Sequence, residues 1–123
     1  MKICIDARKI TDLGIGRYVQ NILDQFCKLS STHQFLLLFA PEKIEEFRQR
    51  YASPQFQLEI EEAPKYSIKE LFTISNKIRR FNADIYHSPH YTVPLFKIKP
   101  TIAMIHDLIH IKFPEYLPSK FAR

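Results

Sequence analysis

Phe35-Leu36-Leu37-Leu38-Phe39 is an unbroken apolar run, too short for a helix and without the alternation of a half-buried strand. That is the pattern of a strand covered on both faces, which places it centrally in a parallel sheet with helices above and below. Upstream, Tyr18, Ile22, Phe26 and Leu29 recur at three- and four-residue steps, with Val19 and Leu23 widening the stripe. This predicts a helix packed on the sheet and closed by Ser30 and Ser31. Further upstream, residues 2–6 form a short apolar run ending in Asp6, a first strand, followed by a polar stretch containing Gly14 and Gly16.

Downstream, Pro41 takes a first helical position, and Ile44, Phe47 and Tyr51 mark a short amphipathic helix ended by Ser53 and Pro54. Residues 56–60 alternate and read as a third strand near an edge. Ser67 with Glu70 forms a capping box for a helix whose buried stripe is Ile68, Leu71, Phe72, Ile78 and Phe81. Residues 84–87 begin a fourth strand, and the β-branched and apolar residues 101–105 form a fifth, ending at His106 and Asp107. Strands alternating with helices predict one α/β domain over 1–123: a Rossmann-like, doubly wound, mostly parallel sheet.

A chain of 123 residues is long enough to bury a core without disulfides or metals. Cys4 and Cys27 fall in a strand and a helix rather than in a spaced framework, which reads as two buried thiols in a reducing compartment. Asp6 and Arg8 interrupt the first apolar run before a signal or spanning helix could form, so a cytoplasmic location is the expectation. With 18 Lys and Arg against 13 Asp and Glu, the net charge of +5 favours phosphate-bearing ligands or peripheral contact with an anionic bilayer. The basic residues are scattered, with Arg79 and Arg80 the only adjacent arginines, and nucleic-acid binding is not expected.

Ligands of doubly wound sheets bind outside the carboxyl ends of the strands. Three segments lie there: Gly14-Ile15-Gly16-Arg17-Tyr18, His87-Ser88-Pro89-His90-Tyr91, and His106-Asp107. In the first, two glycines before a helix N-terminus suit a phosphate, but they equally suit a tight strand-to-helix turn. The third glycine of the dinucleotide fingerprint and the Gly-Lys-Ser/Thr of a P-loop are absent. His106 and Asp107 close a buried strand, where polar groups meet a ligand, meet each other, or form a satisfied core pair. His87 and His90 are close enough to share an ion, yet no zinc-type cysteine spacing or HExxH helix accompanies them, and no metal is expected.

The opening KICIDARKI, then GIGRY leading a helix, then DIYHSPHYTVP, then TIAMIHDLIHIKFPEYLP together resemble family 4 glycosyltransferases of the GT-B fold. The resemblance runs across nearly the whole chain. It implies a retaining, metal-independent transfer of a sugar from a nucleotide-diphosphate donor to a glycan or lipid-linked acceptor, across a cleft between two Rossmann-like domains. On that pattern Gly14 and Gly16, with Arg17 beside them, approach the donor diphosphate. His106 contacts the donor sugar near the reacting carbon, and Asp107 is its orienting acidic partner. His87, His90 and Tyr91, in the loop selected by the strand-end rule, are candidates for contact with the acceptor or for the cleft wall.

The Glu-containing motif and basic residues of the family's second, donor-binding domain have no counterpart in these residues. The chain is therefore expected to be part of the N-terminal, acceptor-side domain, stopping at Lys120-Phe121-Ala122-Arg123 where a further helix would begin. It is expected to be inactive alone, and Phe113, Tyr116, Leu117 and Phe121 are expected to lack packing partners and favour self-association. A non-catalytic interaction domain and the first subunit of a split transferase are the alternatives.

Overall fold

The computed structural model describes residues 1–29, 32–64, 67–94 and 99–113. Within them the chain runs β1 (Lys2–Asp6), α1 (Leu13–Lys28), β2 (Gln34–Phe39), α2 (Ile44–Arg48), β3 (Phe56–Ile60), α3 (Ile68–Phe81), β4 (Ile85–Ser88), β5 (Thr101–Ala103) and α4 (Ile109–Lys112). The five strands form one sheet in the order β3-β2-β1-β4-β5, every neighbouring pair parallel. This is the doubly wound α/β fold, with β2 inside the sheet and β3 at its edge, as the apolar run and the alternating strand predict.

The pleat of β2 divides the core. Phe35, Leu37 and Phe39 face one layer with Ile5, Val19 and Leu23, together with Ile44, Phe47 and Tyr51 of the α2 region. Leu36 and Leu38 face the other layer with Cys4, Ile74, Ile78 and Tyr86. Helices α1 and α2 thus cover one face and α3 the other, because side chains two apart on a strand share a face.

Several details differ from the sequence reading. Helix α1 begins at Leu13, so Gly14 and Gly16 belong to its first turn rather than to a loop. Its buried line is Gly16, Val19 and Leu23, while Tyr18 and Ile22 flank it and Leu29 is exposed. In α3 the buried residues are Glu70, Ile74, Ser75 and Ile78, whereas Ile68 and Phe72 are exposed. Only half of the expected capping box forms. The Glu70 amide donates to Ser67 Oγ, but the Ser67 amide donates to the Pro64 carbonyl and the Glu70 carboxylate is engaged elsewhere.

Cys4 is buried as expected, but Cys27 is exposed, because it lies one residue beyond Phe26 on the outer side of α1. Strand β5 ends at Ala103 rather than 105, and the short α4 has no counterpart in the sequence reading. Phe113 is exposed, while Ser30, Ser31, Tyr116, Leu117 and Phe121 lie outside the described residues. Among the described residues no helix is long and apolar enough to cross a membrane.

Candidate functional site

The strand order reverses at β1, since the chain leaves it for β2 and β3 on one side and returns to β4 and β5 on the other. The carboxyl ends of β1 and β4 therefore border the crevice in which such sheets take ligands. Burial of the apolar strands on both faces forces the polar residues that follow them to this edge. A cleft of about 300 Å³ opens there, lined by Gly14, Ile15, His90, Tyr91, Met104, His106 and Asp107. Five of the eight residues singled out in the sequence are thereby brought together from three separate segments.

His106 is exposed, and its Nε2 lies 2.9 Å from the Pro89 carbonyl oxygen. A carbonyl only accepts, so Nε2 carries the proton and a neutral His106 keeps Nδ1 as an acceptor. The group that orients this ring is thus the Pro89 carbonyl rather than Asp107. Asp107 Oδ1 instead accepts from the Ile109 amide at 3.0 Å, holding the first turn of α4. The loop after β4 is fixed by Ser88, whose Oγ lies 2.9 Å from the His90 carbonyl and 2.7 Å from that of Thr92. His90 Nδ1 is 3.1 Å from Thr92 Oγ1, and its ring packs against that of Tyr91 with centroids 3.8 Å apart.

The two glycines differ. Nothing lies within 4 Å of a Cβ built on Gly14, so the backbone there is open to an approaching group. A Cβ on Gly16 would collide with the carbonyl oxygen of Ile10 and lie 2.8 Å from its carbon. The Gly16 amide already donates to the Asp12 carbonyl at 2.6 Å. Gly16 therefore serves the packing of α1 on the segment after β1, and the close approach expected there falls to Gly14. Asp12, the N-cap residue of α1, makes no side-chain capping bond, which leaves the first amides of this 16-residue helix without a cap from Asp12.

Arg17 does not face the cleft. It lines a separate hollow of about 440 Å³ with Asp12, Leu13, Gly14, Gln20 and Arg50, so Gly14 is the shared border of two depressions. His87 does not reach the cleft either. It is 8 % exposed, burial holds its pKa below the ordinary histidine value, and its Nε2 lies 3.2 Å from Tyr18 Oη.

Beneath the cleft is a buried ion cluster that the sequence reading missed. Arg8 Nη2 lies 2.6 Å from Asp6 Oδ2 and 2.5 Å from Glu70 Oε1, while Nε donates to Asp6 Oδ1 at 2.8 Å. Burial opposes the charge of Arg8, but the hydrogen bonds and charges of Asp6 and Glu70 outweigh it and hold the guanidinium above its ordinary pKa. A small void of about 10 Å³ separates this cluster from Pro89, His90 and Thr92. The available signal was Asp6-Ala7-Arg8 at a strand end: opposite charges two apart, flanked by Ile5 and Ile10.

Burial pushes the Cys4 thiol pKa up, which suits a packing residue rather than a nucleophile. Among the described residues no group of three or more His, Cys, Asp or Glu is placed to hold a metal ion.

Comparison with known proteins returns no matching family profile, no matching curated protein and no matching solved structure. What stands is a Rossmann-like parallel α/β sheet carrying a cleft at its switch point.

Proposed function

We propose that the chain is the acceptor-side part of a retaining, metal-independent glycosyltransferase that takes its sugar from a nucleotide diphosphate. The observation that carries this reading is the cleft at the carboxyl edge, which unites Gly14, His90, Tyr91, His106 and Asp107. Its chemistry suits a sugar nucleotide. Open backbone at Gly14 and the α1 N-terminus favour an anion, and a neutral His106 with Nε2 bound to Pro89 offers Nδ1 to a hydroxyl. The aromatic face of Tyr91 beside His90 supplies an apolar wall for an acceptor.

Transfer itself requires the donor-binding domain, so the chain alone is proposed to be inactive. In the full enzyme the acceptor is a glycan or a lipid-linked sugar. The proposed location is the cytoplasm, with peripheral contact at the inner face of a membrane, for which the net charge of +5 suits an anionic bilayer.

Titration of the isotope-labelled chain with UDP-glucose and GDP-mannose, read on amide and imidazole resonances, tests the reading. Perturbations centred on Gly14, Ile15 and His106 are expected. None at concentrations of about 1 mM, where even a contact worth about 4 kcal/mol registers, or changes only elsewhere, would overturn it. A second reading, a non-catalytic interaction domain, is favoured by exposed apolar side chains on the same edge, Leu13, Ile68 and Tyr91 among them. Sugar transfer on joining the chain to a donor-binding domain separates the two.

A further inference from the structure

We propose that Tyr18 is a positioning residue that holds the exposed His106 ring in a single orientation, with Nε2 on the Pro89 carbonyl and Nδ1 free to accept in the cleft. The inference rests on the transferase reading only for its use, since the device itself belongs to the folded chain.

An exposed imidazole joined to the protein by one hydrogen bond turns readily about its outer torsion, and each turn exchanges the nitrogen it presents. His106 has a second contact that opposes this. The Tyr18 ring meets it edge to face, centroids 5.3 Å apart and planes at 83°. Tyr18 is itself fixed from behind. Its hydroxyl lies 3.2 Å from His87 Nε2, and its ring meets the His87 ring at 5.9 Å and 90°. His87 is immobilised in turn by burial within β4, paired with Ile5 of β1 and Ile102 of β5.

The sheet therefore holds Tyr18 through His87, and Tyr18 with Pro89 holds His106. No hydrogen-bond partner engages Nδ1 of His106 among the described residues. This arrangement gives separate tasks to the two parts of the tyrosine. Among the described residues the hydroxyl touches only His87, whereas the ring touches both histidines.

The test is long-range proton–nitrogen spectroscopy of the imidazoles in the isotope-labelled chain at about pH 8, above the ordinary histidine pKa, for the parent, Y18F and Y18L. In the parent, His106 is expected to show a single tautomer protonated at Nε2. In Y18F, which keeps the ring, the His106 signature is expected to stay while that of His87 shifts. In Y18L, His106 is expected to lose its single signature and move to a mixture of tautomers. A parent His106 protonated at Nδ1 or already mixed would overturn the proposal. So would a Y18L protein whose His106 is unchanged, or a Y18F protein in which both histidines shift together. Should Y18L fail to fold, the parent and Y18F spectra still decide the question. These spectra need no ligand, so failure here is distinguishable from failure of the nucleotide-sugar titration.

Discussion

At the scale of single residues, two glycines and one histidine carry separable consequences. Gly14→Ala meets nothing within 4 Å, whereas a Cβ at Gly16 runs into the Ile10 backbone. Gly14→Ala is expected to raise stability, by up to about 1 kcal/mol through helix propensity. Gly16→Ala is expected to cost about 1–3 kcal/mol, because a backbone neighbour cannot move aside as a side-chain tip would. Chemical denaturation of the two variants checks this, and equal stabilities would remove the structural role assigned to Gly16. The histidine predicts a pH effect. Burial depresses the folded pKa of His87 below its ordinary value of 6.5, so on acidification the unfolded chain takes up a proton first. Its contribution is complete above that value and lost as the pH falls from it towards the folded pKa. His87→Gln, which cannot titrate, should flatten the stability profile over that interval. An unchanged slope in melting experiments at stepped pH would show that other groups govern it.

At the scale of elements, the prediction concerns the ion cluster that ties β1 to α3. Removing the Arg8 guanidinium takes away the cation that bridges the carboxylates of Asp6 and Glu70, whose side chains are only 14 % and 6 % exposed. Arg8→Ala is therefore expected to cost about 3–5 kcal/mol. Ser67→Ala, which removes one capping bond from α3, should cost about 1 kcal/mol. Denaturant midpoints for both variants test the ranking, and a mild Arg8→Ala would mean that water reaches the cluster. The strands were legible in the sequence, the helix faces less so. Strands announced themselves because burial on both faces dictates an unbroken run at 35–39 and partial cover dictates alternation at 56–60. Helix faces were harder. Apolar spacing in α3 pointed to Ile68 and Phe72 as well as Ile78, but the buried line is Glu70, Ile74 and Ile78, with the polar Glu70 held inside by Arg8, 62 positions away. The start of α1 was hidden because glycine reads as a turn signal, while here Gly16 lets the helix lie against the Ile10 carbonyl. The cleft was legible as to which loops meet, through the strand-end rule. It was not legible as to which side chains enter it, since Arg17 lies on the exposed side of α1 over a separate hollow and His87 is buried against the Tyr18 hydroxyl.

At the scale of the whole molecule, the two edges of the sheet differ in character. In an all-parallel sheet, the helices that follow strands begin at the carboxyl edge. Leu13 at the start of α1, Ile68 at the start of α3, Tyr91 and Val93 after β4, and Ile105 and Ile111 after β5 are accordingly all at that edge, and all are exposed. Leu13 is 95 % and Ile68 75 % exposed, so neither contributes to the internal core. Apolar side chains gathered on the edge that holds the candidate site call for a cover, and in the transferase reading that cover is the donor-binding domain. Without it, the chain is expected to associate with itself through this edge as its concentration rises. Changing Leu13 and Ile68 together to lysine removes apolar area and adds like charges that repel across any pairing of these surfaces. Because both side chains point into solvent, the double variant should melt within about 0.5 kcal/mol of the parent. Sedimentation velocity over a concentration series should show the parent shifting to larger species and the double variant remaining a monomer. A parent that stays monomeric throughout would show that these side chains are tolerated in water. Association that survives both lysines would move the contact to the outer side of β5, where Ile102 is also exposed and where, among the described residues, no further strand pairs.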